Sequence, residues 1–195
     1  MLTIGILNLQ GDVSEHFEIT RKALNNFEND SRVIKVRTSL DASSCDGIII
    51  SGGESTVIGK LLEETGINNI IINEKIPVFG TCAGMVLLAS KTDYEQPLLN
   101  LIDMEVKRNA FGRQKESFEK EIDIFGDKFN GIFIRAPAVD QVGGDVHILS
   151  RLEDKIIGVK QGNNMAISFH PELTEDTRLH EYFIKEVMKC VELPE

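Results

Sequence analysis

A chain of 195 residues, 42% of them hydrophobic, is long enough for one domain with a substantial core and short for two. Its 31 acidic against 21 basic residues give a formal net charge of −10, a field that repels nucleic acid, and no basic block offsets it. No apolar run approaches the ~20 residues of a membrane span, and Met1–Leu7 lacks the basic region and small-residue cleavage site of a secretory signal. A cytoplasmic protein with no nucleic-acid or membrane partner is therefore expected.

Thr3–Leu9 reads as a first strand. Gly11-Asp12 opens a helix, with Asp12 and Glu15 spaced as a capping box and Val13, Phe17, Leu24 and Phe27 as its apolar stripe. Arg32–Val36 and Gly47–Ser51 are further short strands, the second followed by a helix over about Thr56–Glu63. Ile76–Gly80 is a buried strand running into a helix over Ala83–Ser90. Strands alternating with helices predict a parallel sheet covered on both faces.

After Pro97 the texture changes. Met104–Lys107, Phe118–Ile124, Gly131–Arg135, Val146–Ser150, Ile156–Lys160 and Met165–Phe169 read as short strands, with turns at Gly143-Gly144-Asp145 and Gly162-Asn163-Asn164. This section is expected to extend the same sheet with mostly antiparallel strands. A closing helix near Asp176–Val191 carries Leu179, Phe183, Val187 and Cys190 on one face. No linker, low-complexity stretch or repeat interrupts the chain, so residues 1–195 are expected to form one domain. The three cysteines, Cys45, Cys82 and Cys190, show no C-x-x-C pairing, which indicates neither a disulfide framework nor a zinc knuckle. Cys45 and Cys190 read as small core residues.

Cys82 stands apart. Val78-Phe79-Gly80-Thr81-Cys82-Ala83-Gly84-Met85 reads as a buried strand that breaks at Gly80, offers a thiol and starts a helix after Ala83. This is the G-x-Cys-x-G form of the nucleophile elbow, whose glycines permit a sharp strand-to-helix turn that a Cβ would obstruct. The helix points unpaired N–H groups at the sulfur, which favours the nucleophilic thiolate.

A catalytic cysteine needs a base and a group to orient that base. Of the four histidines, His170 lies in Ser168-Phe169-His170-Pro171-Glu172 at the end of an apolar strand. In extended chain residues i and i+2 project from one face, so His170 and Glu172 point the same way, and Pro171 preserves the extended geometry. The carboxylate can fix the imidazole tautomer and stabilise the imidazolium. His16, His147 and His180 lack such company and read as surface or helix-face residues.

Acyl transfer also needs donors for an oxyanion. The amide of Ala83, next after the cysteine, is one. Ser51-Gly52-Gly53-Glu54-Ser55-Thr56 ends a strand at the same sheet edge, and the Gly52-Gly53 peptide is free to expose a second N–H or to flip between two states. The segment from Gly53 to Lys60 misses the phosphate-loop pattern by one residue and has Leu61 where Ser or Thr is required. Zinc held by Cys82, His170 and Glu172 is the poorer reading, since structural sites want a fourth ligand. No metal is expected.

Gly52-Gly53-Glu54-Ser55-Thr56, Gly80-Thr81-Cys82-Ala83-Gly84 and His170-Pro171-Glu172 resemble the class I, triad-type glutamine amidotransferases. Within that class the chain is similar to the glutaminase subunits of two-component pyridoxal 5′-phosphate synthases. The narrower likeness rests on Ile4–Gly11, on the run Arg108-Asn109-Ala110-Phe111-Gly112-Arg113-Gln114-Lys115-Glu116-Ser117-Phe118, and on Phe133-Ile134-Arg135-Ala136-Pro137. Ser51 departs from the family pattern, which usually has proline there.

The resemblance implies a three-layer α/β/α, flavodoxin-like fold with a central, mostly parallel sheet extended by antiparallel strands. It implies hydrolysis of L-glutamine to glutamate and ammonia, with Cys82 as nucleophile, His170 as proton shuttle and Glu172 orienting His170. Gly53, Glu54, Ser55, Arg108, Ile134 and Arg135 would contact glutamine, and Gly52, Gly53 and Ala83 would form the oxyanion site. No cofactor is implied. The ammonia would pass to a barrel-type synthase subunit in a complex of 12 + 12 subunits, which places the chain among hydrolases and lyases of vitamin B6 synthesis. The triad alone does not separate this from a glutaminase serving another pathway, such as imidazole glycerol phosphate synthesis, or from a non-catalytic module of the same fold.

Overall fold

In the computed structural model, which describes residues 1–112 and 117–192, the isoleucine-rich runs of the first half become strands. Leu2–Leu7 (β1), Ser31–Val36 (β2), Gly47–Ile50 (β3) and Val78–Thr81 (β4) lie parallel in the order β2-β1-β3-β4. Successive side chains of a strand face opposite sides. Ile48 and Ile50 pack on one side of the sheet and Ile49 on the other, all fully buried. Burying each contributes roughly 1.5–3 kcal/mol, which is gained only if both faces are covered.

The helices supply that cover. Val13–Leu24 (α1) and Arg178–Glu192 (α6) lie on the Ile49 side, through Val13, Leu24, Leu179, Phe183 and Val187. Ser39–Ser43 (α2), Ser55–Thr65 (α3), Ile67–Asn73 (α4) and Ala83–Leu88 (α5) lie on the other, through Ala42, Ile58, Leu62, Ile71 and Met85. The result is the three-layer α/β/α arrangement expected from the sequence. Helix α4 escapes the sequence reading; it is short, and only Ile67 and Ile71, four apart, are buried.

Beyond α5 run Ala89–Thr92 (β5), Ile102–Lys107 (β6), Ser117–Ile124 (β7), Asp127–Ile134 (β8), Ala138–Val142 (β9), His147–Leu152 (β10), Lys155–Gln161 (β11) and Asn164–Ile167 (β12). The sheet continues β4-β12-β11-β9-β6-β5, with β10 also paired to β11. Strand β12 is parallel to β4 and β5 to β6, while β6, β9, β10, β11 and β12 are joined by antiparallel pairings. Strands β7 and β8 correct the expectation of one extended sheet: they form a separate two-stranded hairpin. Their alternation explains it. Ile122, Ile124, Phe129 and Phe133 turn into the α1–α6 layer, whereas Glu119, Glu121 and Asp123 face away, so the hairpin lies over the sheet flank as a one-sided cover.

The capping box expected at α1 is absent: Asp12 stands at the N-cap but its side chain accepts no cap hydrogen bond. The box forms instead at α2, between Thr38 and Asp41. The buried face of α1 is Val13, His16, Ile19, Thr20, Ala23 and Leu24, while Phe17 and Phe27 are only partly buried. Cys45 is buried, which pushes its thiol up to about 12, but Cys190 is partly exposed and its core assignment fails. Residues 113–116 of the Arg108–Phe118 motif, Arg113-Gln114-Lys115-Glu116, lie outside the described residues.

Strands β1 and β3 are neighbours, with β2 on the far side of β1, so successive connections diverge at their carboxyl ends. In doubly wound sheets that divergence opens a crevice. The segments after β1, β3, β4 and β12 all end there.

Candidate active site

Strand β4 is followed directly by Cys82, whose φ of +48° and ψ of −103° are strained for a residue with a Cβ. Packing holds the strain in place. The Cys82 N–H donates to the Ile167 carbonyl at 2.9 Å, tying the elbow to β12. A Cβ on Gly80 would stand 2.6 Å from the Gly84 backbone, and one on Gly84 would stand 2.2 Å from the Ile50 carbonyl oxygen. Only glycine lets strand and helix approach this closely. Ala83 is the first residue of α5, so its N–H has no acceptor within the helix. The Cys82 thiol opens into a cleft of about 370 Å³ and lies 3.9 Å from the Ile134 carbonyl oxygen.

His170 follows β12, and its N–H donates to the Ile132 carbonyl of β8 at 2.8 Å. Its Nδ1 lies 2.6 Å from Glu172 Oε1, in a buried setting. The pair meets by a different route from the expected extended chain. Pro171–Leu173 is a 3-10 turn with proline at its start, and it curls Glu172 back under the imidazole. With Nδ1 engaged, Nε2 is the nitrogen left for the sulfur. Burial works against a charged His170, but the neighbouring Cys82 sulfur and Glu172 carboxylate outweigh it and raise its pKa to about 10. Burial likewise opposes the Glu172 carboxylate, yet His16 and then His170 hold it well below the usual carboxylate range.

His16 and His180 lie on helix faces, but the surface alternative fails, since both are fully buried, and His16 has an acidic neighbour that the sequence did not announce. His16 Nε2 lies 3.2 Å from Glu172 Oε2 and 3.0 Å from Thr81 Oγ1, and His16 Nδ1 lies 3.1 Å from His180 Nε2. Burial and then His16 push the pKa of His180 down to about 3, so that ring is neutral. A signal was present. His16 sits at i+3 from Val13 and i−4 from Thr20, on the buried face of α1, and His180 adjoins Leu179 on α6. His147 is exposed, as expected.

Asp12 is another residue the sequence misassigned. Its Oδ2 lies 3.6 Å from His170 Nδ1, and burial, then Glu172, raise its pKa against the opposing pull of His170. That position explains why its carboxylate does not cap α1. Asp12, His170 and Glu172 bring three ligand-type atoms within 4.8 Å of one another, but two of them already pair at 2.6 Å.

The remaining candidates converge on the cleft. Gly53, Glu54, Ser55, Arg108, Ile134 and Arg135 line it, with Cys82, Ala83 and His170. Gly53 has φ of +148°, and a Cβ on Gly52 would stand 2.6 Å from His170 Cε1, so the loop passes directly beside the imidazole. The Glu54 N–H donates to Gln10 Oε1 at 2.9 Å, and the Gly52 carbonyl accepts from the Asp12 N–H at 3.4 Å. Gln10 thus anchors the loop, a role that its side chain could not announce in sequence. Ser55 Oγ donates to Gln96 Oε1 at 3.0 Å, and Thr56 Oγ1 donates to Glu54 Oε1 at 3.4 Å. Arg108 lies over the Tyr94 ring at 4.4 Å and pairs with Asp93 at 3.4 Å. Arg135, with φ of +43°, is exposed at the rim. The arrangement places a thiol, a buried imidazole–carboxylate couple, free amides and two guanidinium groups around one space, which suits attack on a carbonyl carbon in a molecule bearing a carboxylate.

Residues 6–189 match the SNO glutamine amidotransferase family. The chain is 69% identical over 192 residues to a protein of Methanothermobacter thermautotrophicus named pyridoxal 5′-phosphate synthase subunit PdxT, covering 98% of this chain and 100% of that one. It is 59% identical over 195 residues to the protein of that name from Methanobrevibacter smithii, covering 98% and 100%. A crystal structure of a glutamine amidotransferase superposes with a TM-score of 0.85 at 43% identity, covering 95% of this chain and 98% of that one. These matches correct the lyase expectation. They speak of a glutamine amidotransferase and a synthase subunit, and amide cleavage of that kind adds water instead of eliminating a group. The hydrolase class alone stands.

Proposed function

Since the chain belongs to the SNO glutamine amidotransferase family, we propose that it is the glutaminase subunit of a pyridoxal 5′-phosphate synthase, hydrolysing L-glutamine and supplying the ammonia for vitamin B6 synthesis. Identity of 69% to a relative of that name, over nearly the whole of both chains, supports the assignment. The observation that carries the chemistry is the His170–Glu172 couple at 2.6 Å beside the Cys82 elbow.

Cys82 Sγ attacks the side-chain amide carbon of glutamine after giving its proton to His170 Nε2. The C=O π electrons move to oxygen, and the N–H groups of Ala83 and Gly53 face that oxyanion, the flexible Gly52 allowing the second to turn in. Collapse re-forms the carbonyl and breaks the C–N bond. His170 hands its proton to the departing nitrogen, which leaves as ammonia. Water, deprotonated by the same imidazole, then attacks the γ-glutamyl thioester, releasing glutamate and returning the proton to sulfur. Glu172 holds the His170 tautomer throughout. Arg108 and Arg135 take the α-carboxylate, while Glu54, Ser55 and the Ile134 backbone enclose the rest of the substrate.

Residues 1–195 act as one glutaminase domain in the cytoplasm; among the described residues no helix is long and apolar enough to cross a membrane. Ammonia released into bulk water is protonated and lost as a nucleophile, so the product passes to a barrel-type synthase subunit, in a complex of 12 + 12 subunits. Glutamine-dependent pyridoxal phosphate formation by the synthase subunit, measured with and without this chain and with Cys82→Ala, tests the reading. Formation requires the wild-type chain and is lost with Cys82→Ala. Equal formation without the chain refutes it.

A further inference from the structure

His16 is a buried polar side chain that the reaction above does not use. It stands on α1, Thr81 ends β4 immediately before the cysteine, and Glu172 lies in the turn after β12. These three elements meet at one ring nitrogen: His16 Nε2 is 3.0 Å from Thr81 Oγ1 and 3.2 Å from Glu172 Oε2. The opposite nitrogen, Nδ1, faces His180 Nε2 at 3.1 Å.

The proton on His16 can be placed from its neighbours. A bare Nε2 would set its lone pair against the Glu172 carboxylate in a site from which water is excluded, whereas an Nε2–H is attracted by both oxygens. Nε2 therefore carries hydrogen, directed at the Thr81 hydroxyl at 3.0 Å, with Glu172 Oε2 beside it at 3.2 Å as an electrostatic contact. His180 supports this from behind. It is fully buried, packs edge-on against Phe79 and has little freedom to turn, so it fixes the plane of the His16 ring. Glu172 has two oxygens: Oε1 meets His170 at 2.6 Å, while Oε2 is buried without a hydrogen-bond donor and has the His16 nitrogen 3.2 Å away as an electrostatic contact. Without that contact the carboxylate is free to rotate about its last torsion and to lose its in-line approach to His170 Nδ1.

Resting on the glutaminase reading, we propose that His16 is a positioning residue for glutamine hydrolysis: its Nε2–H braces Glu172 Oε2 and Thr81 Oγ1 together, locking the carboxylate toward His170 and tying the cysteine elbow to the same ring. His16 touches neither substrate nor the reacting atoms; it acts through Glu172.

Two polar substitutions separate this from a general packing role. Glutamine places its amide nitrogen near the position of Nε2, and asparagine places its own near Nδ1. In glutamine hydrolysis assayed with the synthase subunit present, His16→Asn is expected to lower kcat by about tenfold or more, as loss of one buried polar contact to a carboxylate would. KM for glutamine should stay within about twofold, because no substrate contact is lost. His16→Gln should recover most of kcat. In a Glu172→Ala background, His16→Asn should cost little further, since the group it acts through is gone. Equal losses in the Asn and Gln variants, no loss in either, or an undiminished Asn penalty in the Glu172→Ala background each overturn the proposal. A measurement on the unmodified chain keeps it testable if the variants misfold: ring ¹⁵N shifts must report His16 protonated at Nε2, and an unprotonated Nε2 refutes it. Cys82→Ala in the same assay separates the two levels. If that variant is inactive and His16→Asn fully active, only the brace fails; if Cys82→Ala is active, the glutaminase chemistry itself fails.

Discussion

His170 Nδ1 lies 2.6 Å from Glu172 Oε1 although only Pro171 separates the two residues in the chain, because the 3-10 turn folds the carboxylate back beneath the ring. The contact ranks the two residues. His170→Asn removes the proton carrier and is expected to lower kcat for glutamine by roughly 10²–10⁴-fold, the usual worth of a positioned general base. Glu172→Ala leaves the imidazole in place without its anchor and should cost less. Steady-state kinetics with the synthase subunit present measure both, and a Glu172→Ala loss exceeding that of His170→Asn would contradict the assignment of roles.

The same couple sets a pH window for stability. His170 rises from its ordinary 6.5 to about 10 on folding, so the folded state holds that proton more tightly than the unfolded chain. Its contribution is full below pH 6.5 and is lost as pH climbs toward 10. Glu172 is shifted the other way, so its contribution is present above the ordinary 4.5 and is lost as pH falls below that. The urea midpoint should therefore peak between these values and decline on both sides. His170→Asn should flatten the alkaline decline specifically. Parallel midpoint curves for wild type and variant above pH 7 would show that no such proton is held.

Arg108 lies over the Tyr94 ring at 4.4 Å and 3.4 Å from Asp93 while lining the cleft, which restrains its guanidinium before substrate arrives. A planar fork suits an α-carboxylate, and a charged hydrogen bond of this kind is worth about 1.5–3 kcal/mol. Arg108→Ala should raise KM for glutamine by roughly tenfold to a hundredfold with a smaller change in kcat, since the contact exists equally in ground and transition states. Arg108→Lys should restore only part of this, because an ammonium cannot match the fork. An unchanged KM in Arg108→Ala assigns the carboxylate to another group.

What could be read from the sequence was local. The elbow glycines, Cys82, and the His170–Glu172 spacing are short-range patterns; Cys82 and His170 do line one cleft, with Glu172 buried behind the imidazole. The alternation of apolar runs with helical periods gave the layered sheet for the same reason. What escaped is carried by long-range contact. His16 and His180 touch across 164 positions of sequence, and each looks like an ordinary helix histidine until α1 and α6 pack together. Asp12 has the spacing of a cap, but His170, which lies 3.6 Å away, is supplied by the far end of the chain. The β7–β8 hairpin was legible as strands and not as a separate sheet, because its one-sided burial becomes visible only once a flank exists to receive it.

Cys82 itself is a place where function opposes stability. Its φ of +48° lies where a side chain is strained, and the Gly80 and Gly84 contacts keep the turn from relaxing. Strain of this sort amounts to about 1–3 kcal/mol, and glycine is relieved of most of it. Cys82→Gly should therefore be more stable than Cys82→Ala, in spite of the greater chain entropy that glycine loses on folding. At ~2–4 °C per kcal/mol for a chain of this size, the difference is a few degrees in Tm. Both variants lack the thiol, so the comparison isolates the backbone from the chemistry. Equal Tm values, or a glycine variant that melts lower, would show that the elbow stores no strain and that its sharpness is set by the neighbouring glycines alone.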